Sequence, residues 1–125
     1  MADRKRANYL SPPDLYRLDW ACRPIVDAFD RPVYLVGSVY ARADYRDVDL
    51  RLILDDTVYA RMVLSDAWLL LTNIAYSDLI AKAANLPVPV DFQIQSMTEA
   101  NVPEHGHREP IGIRWDIKTR EEGPR

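Results

Sequence analysis

The chain is short of several things that would widen its possibilities. It has a single cysteine, Cys22, so no internal disulfide can form and nothing argues for an oxidising compartment. No apolar run approaches the roughly 20 residues of a membrane-spanning helix. The opening residues, MADRKRANYL, lack the apolar stretch of a secretory signal. A cytoplasmic location with no membrane partner is the resulting expectation. An excess of positive charge is missing too: the formal net charge is −3, which argues against broad, sequence-independent nucleic-acid binding. Arginine nevertheless far outnumbers lysine, so a local basic patch can form, and nucleic acid stays open as a partner that the charge does not indicate. Repeats and low-complexity tracts are absent.

What remains is a chain of 125 residues, 48% hydrophobic, enough to bury the core of one domain and too short for two. The expected limits are a mobile arm over residues 1–10, one domain over 11–117 and a frayed tail over 118–125. Ser11-Pro12-Pro13-Asp14 opens a helix, with Ser11 as N-cap, Pro12 at the first helical position and Asp14 at capping-box spacing. Leu15, Leu18, Cys22, Ile25, Val26 and Phe29 recur at three- and four-residue intervals and predict one apolar stripe. Pro24 predicts a kink or a split. Asp30-Arg31-Pro32 ends this helix.

A second helical region runs from Asp55-Asp56-Thr57 to about Asn85, with Ser65-Asp66 as a restart and Leu86-Pro87 as its stop. Trp68, Leu71, Ala75 and Leu79, flanked by Leu64, Ile74 and Ile80, predict its packing face. Asn101 to Pro110 has the composition of a loop, and Ile111 to Ile117 suits a short edge strand or a covering segment. His105 and His107 in that loop are assigned no metal. The order of elements is an α/β pattern, a small mixed sheet with helices against it.

Between the two helical regions lies VYLVGSVYARADYRDVDLRLILDD, residues 33 onward. Val33 to Val36 reads as an apolar strand, Gly37-Ser38 as a turn, the next residues as a short helical connection, and Asp47 to Leu54 as a second strand. Val48, Leu50, Leu52 and Leu54 alternate with Asp47, Asp49, Arg51 and Ile53, so the period of two places both carboxylates on one face. Like charges held together favour a cation, and paired carboxylates suit Mg2+, a hard ion that commonly brings substrate phosphates with it. A glycine turn before a helical segment lets a phosphate approach the backbone. Further on, Val88 to Gln95 alternates again, with Val90, Phe92 and Ile94 on one face and Asp91, Gln93 and Gln95 on the other.

The stretch LVGSVYARADYRDVDLRLIL resembles the signature of the DNA polymerase β-type nucleotidyltransferase superfamily, and in particular its small single-domain members. Val36, Gly37, Ser38, Asp47, Val48, Asp49 and Leu50 match the pattern of Gly-Ser followed by Asp-hydrophobic-Asp, and Asp91 stands where the family places a third carboxylate. The resemblance covers about Val33 to Gln95. It implies a metal-dependent transfer of a nucleoside monophosphate from a nucleoside triphosphate to a hydroxyl acceptor on a protein, an RNA end or a small molecule. Asp47, Asp49 and Asp91 would be catalytic and would hold Mg2+, with Mn2+ as a substitute, and Gly37 and Ser38 would take the phosphates.

Arg42, Arg46 and Arg51 are the arginines placed to balance phosphate charge; Arg42 loosely matches an arginine often found after the Gly-Ser in small members. The chain departs from the pattern in its short spacer and in having Arg46 where a serine usually precedes the first aspartate. Small single-domain relatives often act on protein partners, in the manner of antitoxins that adenylylate a toxin. The alternative is an antitoxin-like, non-catalytic domain that keeps the fold to bind a nucleotide or a partner. The intact set of three carboxylates favours the enzyme.

Overall fold

The computed structural model describes residues 8–40, 43–102 and 106–111. Helix α1 (Pro12–Phe29) starts where Ser11 Oγ accepts the Asp14 N–H at 3.2 Å, and stops at Asp30, whose left-handed backbone closes the last turn through a bond to the Val26 carbonyl. Asp14 does not complete a capping box; its carboxylate pairs with Arg17. Pro24 lies inside a helix that stays one element, so the predicted split does not occur. Leu18, Cys22 and Ile25 are buried, each fully buried aliphatic side chain contributing about 1.5–3 kcal/mol.

Among the described residues the sheet has four strands in the order β3-β2-β1-β4. Strand β1 (Val33–Val36) pairs antiparallel with both β2 (Val48–Leu54) and β4 (Arg108–Pro110), while β3 (Val90–Ser96) pairs parallel with β2. A 3-10 turn over Gly37–Tyr40 follows β1, as the sequence predicts. Val33, Leu35, Val48, Leu50, Leu52, Leu54, Phe92 and Ile94 form the buried side of the sheet, packed with α1 and the long α3 in one core. The fold is therefore the small mixed α/β sheet with helices packed on it.

Helix α2 (Asp56–Met62) and helix α3 (Asp66–Ala84) divide at Ser65, whose hydroxyl accepts the Trp68 N–H. The packing face of α3 differs from the predicted one. Ile80 and Ala84 are its buried residues, with Trp68, Leu69 and Tyr76 partly covered, whereas Leu71 is 64% and Leu79 57% exposed, and Leu64 and Ile74 also face outward. The helix is apolar nearly all the way round, so periodicity does not select a side.

Polar residues of α3 select it instead. Ser77 Oγ accepts the Phe92 N–H at 2.8 Å and Asn73 Oδ1 accepts the Ile94 N–H at 3.1 Å, which closes the free edge of β3.

Three boundaries also shift. Tyr9 and Leu10, assigned to the arm by sequence, are packed: the Tyr9 N–H donates to the Val39 carbonyl at 2.8 Å and Leu10 is buried. Edge strand β4 lies at Arg108–Pro110, inside the expected loop, because these residues continue the β1 ladder and the Ile111 N–H donates to Val33. Residues 112–117 of the expected edge segment and the tail lie outside the described residues. A four-residue helix, α4 (Met97–Ala100), follows β3 directly, capped by Ser96; no such helix is predicted from the sequence. No helix among the described residues is long and apolar enough to cross a membrane.

Candidate active site

Strand register assembles the site. Asp49 and Asp91 are direct partners in the parallel β2/β3 ladder, whose start is fixed by the Val48 N–H donating to the Pro89 carbonyl at 2.9 Å. Asp49 is also the partner of Val36 on β1, and Arg108 is the partner of Val36 on β4. Partners in a ladder face the same way, so Asp91, Asp49, Val36 and Arg108 form one row across the sheet, opposite the core. Asp47 precedes β2 by one residue and joins the row electrostatically.

Gly37 follows that row directly, and its conformation is specific. Its φ is +87°, and a Cβ built there would overlap Oδ2 of Asp49 and lie 3.1 Å from its Cγ. Glycine is required twice, for the left-handed backbone and for the room that the carboxylate occupies.

Asp49 is half-buried among like charges. Burial, and then the neighbouring Asp47, push its carboxyl above the ordinary 3.8; Arg51 opposes the shift and Asp91 adds to it. The Arg51 guanidinium donates to the main-chain carbonyls of Leu50 at 2.8 Å and Asp91 at 3.2 Å. It acts on Asp49 as a nearby charge and ties β2 to β3. Asp91 accepts weak bonds from Gln93 Nε2 at 3.3 and 3.4 Å, which turn its carboxylate along its own strand.

An all-oxygen set on one row fits a hard divalent cation in kind. Among the described residues, however, no three acidic, histidine or cysteine side chains are gathered closely enough to hold a metal ion. Gathering Asp47, Asp49 and Asp91 around one ion takes side-chain rotation, with Asp91 released from Gln93, and mutual repulsion opposes it until a cation is present.

Of the other predicted residues, Ser38 lies in the 3-10 turn and Arg46 is exposed just before Asp47. Arg42 and His105 lie outside the described residues. His107 is exposed, 3.5 Å from a Glu109 carboxylate oxygen.

Sequence alone misses the neighbours on the far side of Gly37. A cavity of about 200 Å³ runs from Gly37 and Asp49 past Arg51 to Ile53 and Gln95, walled by Ala100, Gly106 and Arg108. Arg108 lies 5.2 Å over the Tyr34 ring and donates to the Ala100 carbonyl and Asn101 Oδ1. The only sequence signal for Gln95 is its place two and four residues after Gln93 and Asp91.

Neither the family models nor the curated proteins contain a match to this chain. Among solved structures it is similar to a crystal structure from Sulfolobus solfataricus, provisionally described as a nucleotidyltransferase, at 14% identity and a TM-score of 0.45, over 92% of this chain and 95% of that one.

Proposed function

We propose that this protein is a metal-dependent nucleotidyltransferase that moves a nucleoside monophosphate from a nucleoside triphosphate to a hydroxyl acceptor. The observation that carries the reading is the Gly37 turn seated against Asp49 with Asp91 in register beside it. A left-handed glycine, a half-buried carboxylate and a cross-strand carboxylate then occupy one edge of the open sheet face.

In this reading Asp47 and Asp49 hold Mg2+, or Mn2+ in its place, and Asp91 either completes that set or accepts the acceptor's hydroxyl proton. A cation held there would neutralise phosphate charge and make the acceptor's hydroxyl more acidic. Gly37 and Ser38 receive the phosphates, where the missing side chain at Gly37 leaves the backbone open. Arg51 holds the β2/β3 register and contributes positive charge; Arg42 and Arg46, between the turn and the carboxylates in the sequence, would supply more. Acceptors of this chemistry are a protein, an RNA end or a small molecule bearing a hydroxyl.

The ungathered carboxylates favour a second reading, a non-catalytic domain that binds a nucleotide or partner protein. The two separate in a transfer assay with each labelled triphosphate, Mg2+ or Mn2+, and acceptors that include a cell lysate. Label transfer by the wild type, lost in Asp49→Asn and in Asp91→Asn, supports the enzyme. Transfer that survives Asp49→Asn overturns the assigned mechanism, and an inert wild type supports the binding domain.

A further inference from the structure

We propose that the inner end of the cavity beside Gly37 takes the nucleobase of the triphosphate, and that Gln95 is the residue that reads its edge. The inference rests on the nucleotidyltransferase reading and extends it to base recognition.

Gln95 lies on the site face of β3, in register with Ile53. That face is open at Asp49 and Asp91 but covered further along, where α4 packs on β2 and β3 and where Gly106 and Arg108 line the cavity. Ile53 is therefore 3% and Gln95 7% exposed, although both share the face of the carboxylates. Among the described residues the Gln95 side chain has no hydrogen-bond partner, and no side-chain nitrogen or oxygen is both sealed and unpaired. Its amide therefore opens on the cavity it lines. An amide that opens on a cavity and has no protein partner is free to bond whatever fills that cavity, water or the edge of a ligand.

The surroundings define what that something is. Ile53, Val36 and Ala100 give apolar walls, and the amide offers one donor side and one acceptor side. Arg108 is occupied by Ala100, Asn101 and the Tyr34 ring, and Arg51 by two main-chain carbonyls. Gln95 is thus the uncommitted polar group at the inner end.

A flat heterocycle with a donor beside an acceptor on its edge fits such a pocket, because an amide pairs with it in two bonds. The size agrees: about 200 Å³ is below the 300–1,000 Å³ typical of whole drug-sized ligands, and it suits a ring rather than a triphosphate. Position agrees as well. Gln95 stands four residues beyond Asp91 on one strand face, roughly 13 Å at about 3.3 Å per residue, which leaves room for a sugar between carboxylates and base.

The test compares binding of the four nucleoside triphosphates with that of inorganic tripolyphosphate, which has no base, all with Mg2+, by calorimetry on the full chain. The wild type should prefer at least one triphosphate over the others. Gln95→Leu, of similar volume, should weaken that triphosphate roughly tenfold to hundredfold, flatten the preference and leave tripolyphosphate unchanged. Ala100→Leu, which fills the wall, should do the same if Gln95→Leu fails to fold.

Unchanged affinity and preference in folded variants would overturn the base pocket while Mg2+-dependent tripolyphosphate binding left the nucleotidyltransferase reading intact. Loss of tripolyphosphate binding in folded variants, or a wild type that binds all four triphosphates equally, would also overturn the pocket. A wild type that binds neither tripolyphosphate nor any triphosphate would overturn both readings.

Discussion

At the scale of single residues, Asp49 is a charge held at a cost. Its folded-state pKa is raised, so the folded protein holds this proton more tightly than the unfolded chain does. The carboxylate's unfavourable contribution is full at neutral pH and is relieved as pH falls through the raised value toward 3.8. Asp56 runs the other way, since bonds from Thr98 lower its pKa and its contribution is lost as pH falls through that lowered value. Asp49→Asn should leave metal-free stability unchanged or slightly higher at neutral pH, and lessen the stability gain on mild acidification. Thermal melts across the acid range with a chelator present check this. If the proposed transfer activity holds, it should fall roughly hundredfold or more, because Asp49 would be a ligand of the cation.

Gly37→Ala tests the same carboxylate from its neighbour. The left-handed backbone should cost about 1–2 kcal/mol, and Asp49 must swing away from the new methyl group. A melt lowered by only a few degrees with nucleotide binding abolished is the expected result; unchanged binding would show that Asp49 need not sit against the turn.

At the scale of elements, the site depends on a helix that does not touch its open face. Among the described residues strand β3 has only β2 as a strand neighbour, and its outward amides at Phe92 and Ile94 are taken by Ser77 and Asn73 of α3. Loss of either acceptor leaves a partly buried N–H unsatisfied, at about 1–3 kcal/mol. Ser77→Ala and Asn73→Ala should each destabilise by that order in denaturant melts and speed amide exchange at Phe92 or Ile94 respectively. If exchange is unchanged, the edge is held by packing alone. Since β3 carries Asp91, the double variant should also impair transfer more than its stability loss explains.

At the scale of the whole molecule, one core joins α1, α3 and the sheet. Cys22 sits inside it, and burial followed by the Asp19 charge pushes its thiol up to about 12. The native protein should resist thiol-modifying reagents at neutral pH, with labelling at the rate of global unfolding and acceleration in denaturant that parallels the loss of helical signal. Rapid labelling in native buffer would mean that α1 opens separately from the sheet.

Alternation along β1, β2 and β3 is local, so which residues share a face of their own strand can be read from adjacent positions. The sequence also marked the Gly37 turn, the caps at Ser11 and Ser65, and the α/β order, because each rests on a few adjacent residues. The side of α3 that packs was not legible, since a helix apolar all round carries no directional signal. Strand β4 and helix α4 were not legible either, as three or four residues hold no period.

That β3 lies parallel beside β2 with Asp91 against Asp49, and that Gly37 closes on the same carboxylate, is visible only once the strands are paired. The tertiary structure alone covered Gln95 while leaving Asp49 at the open end. These are matters of register between distant segments, set by the burial of Leu50, Phe92 and Ile80 in one core rather than by any run of neighbours in the chain.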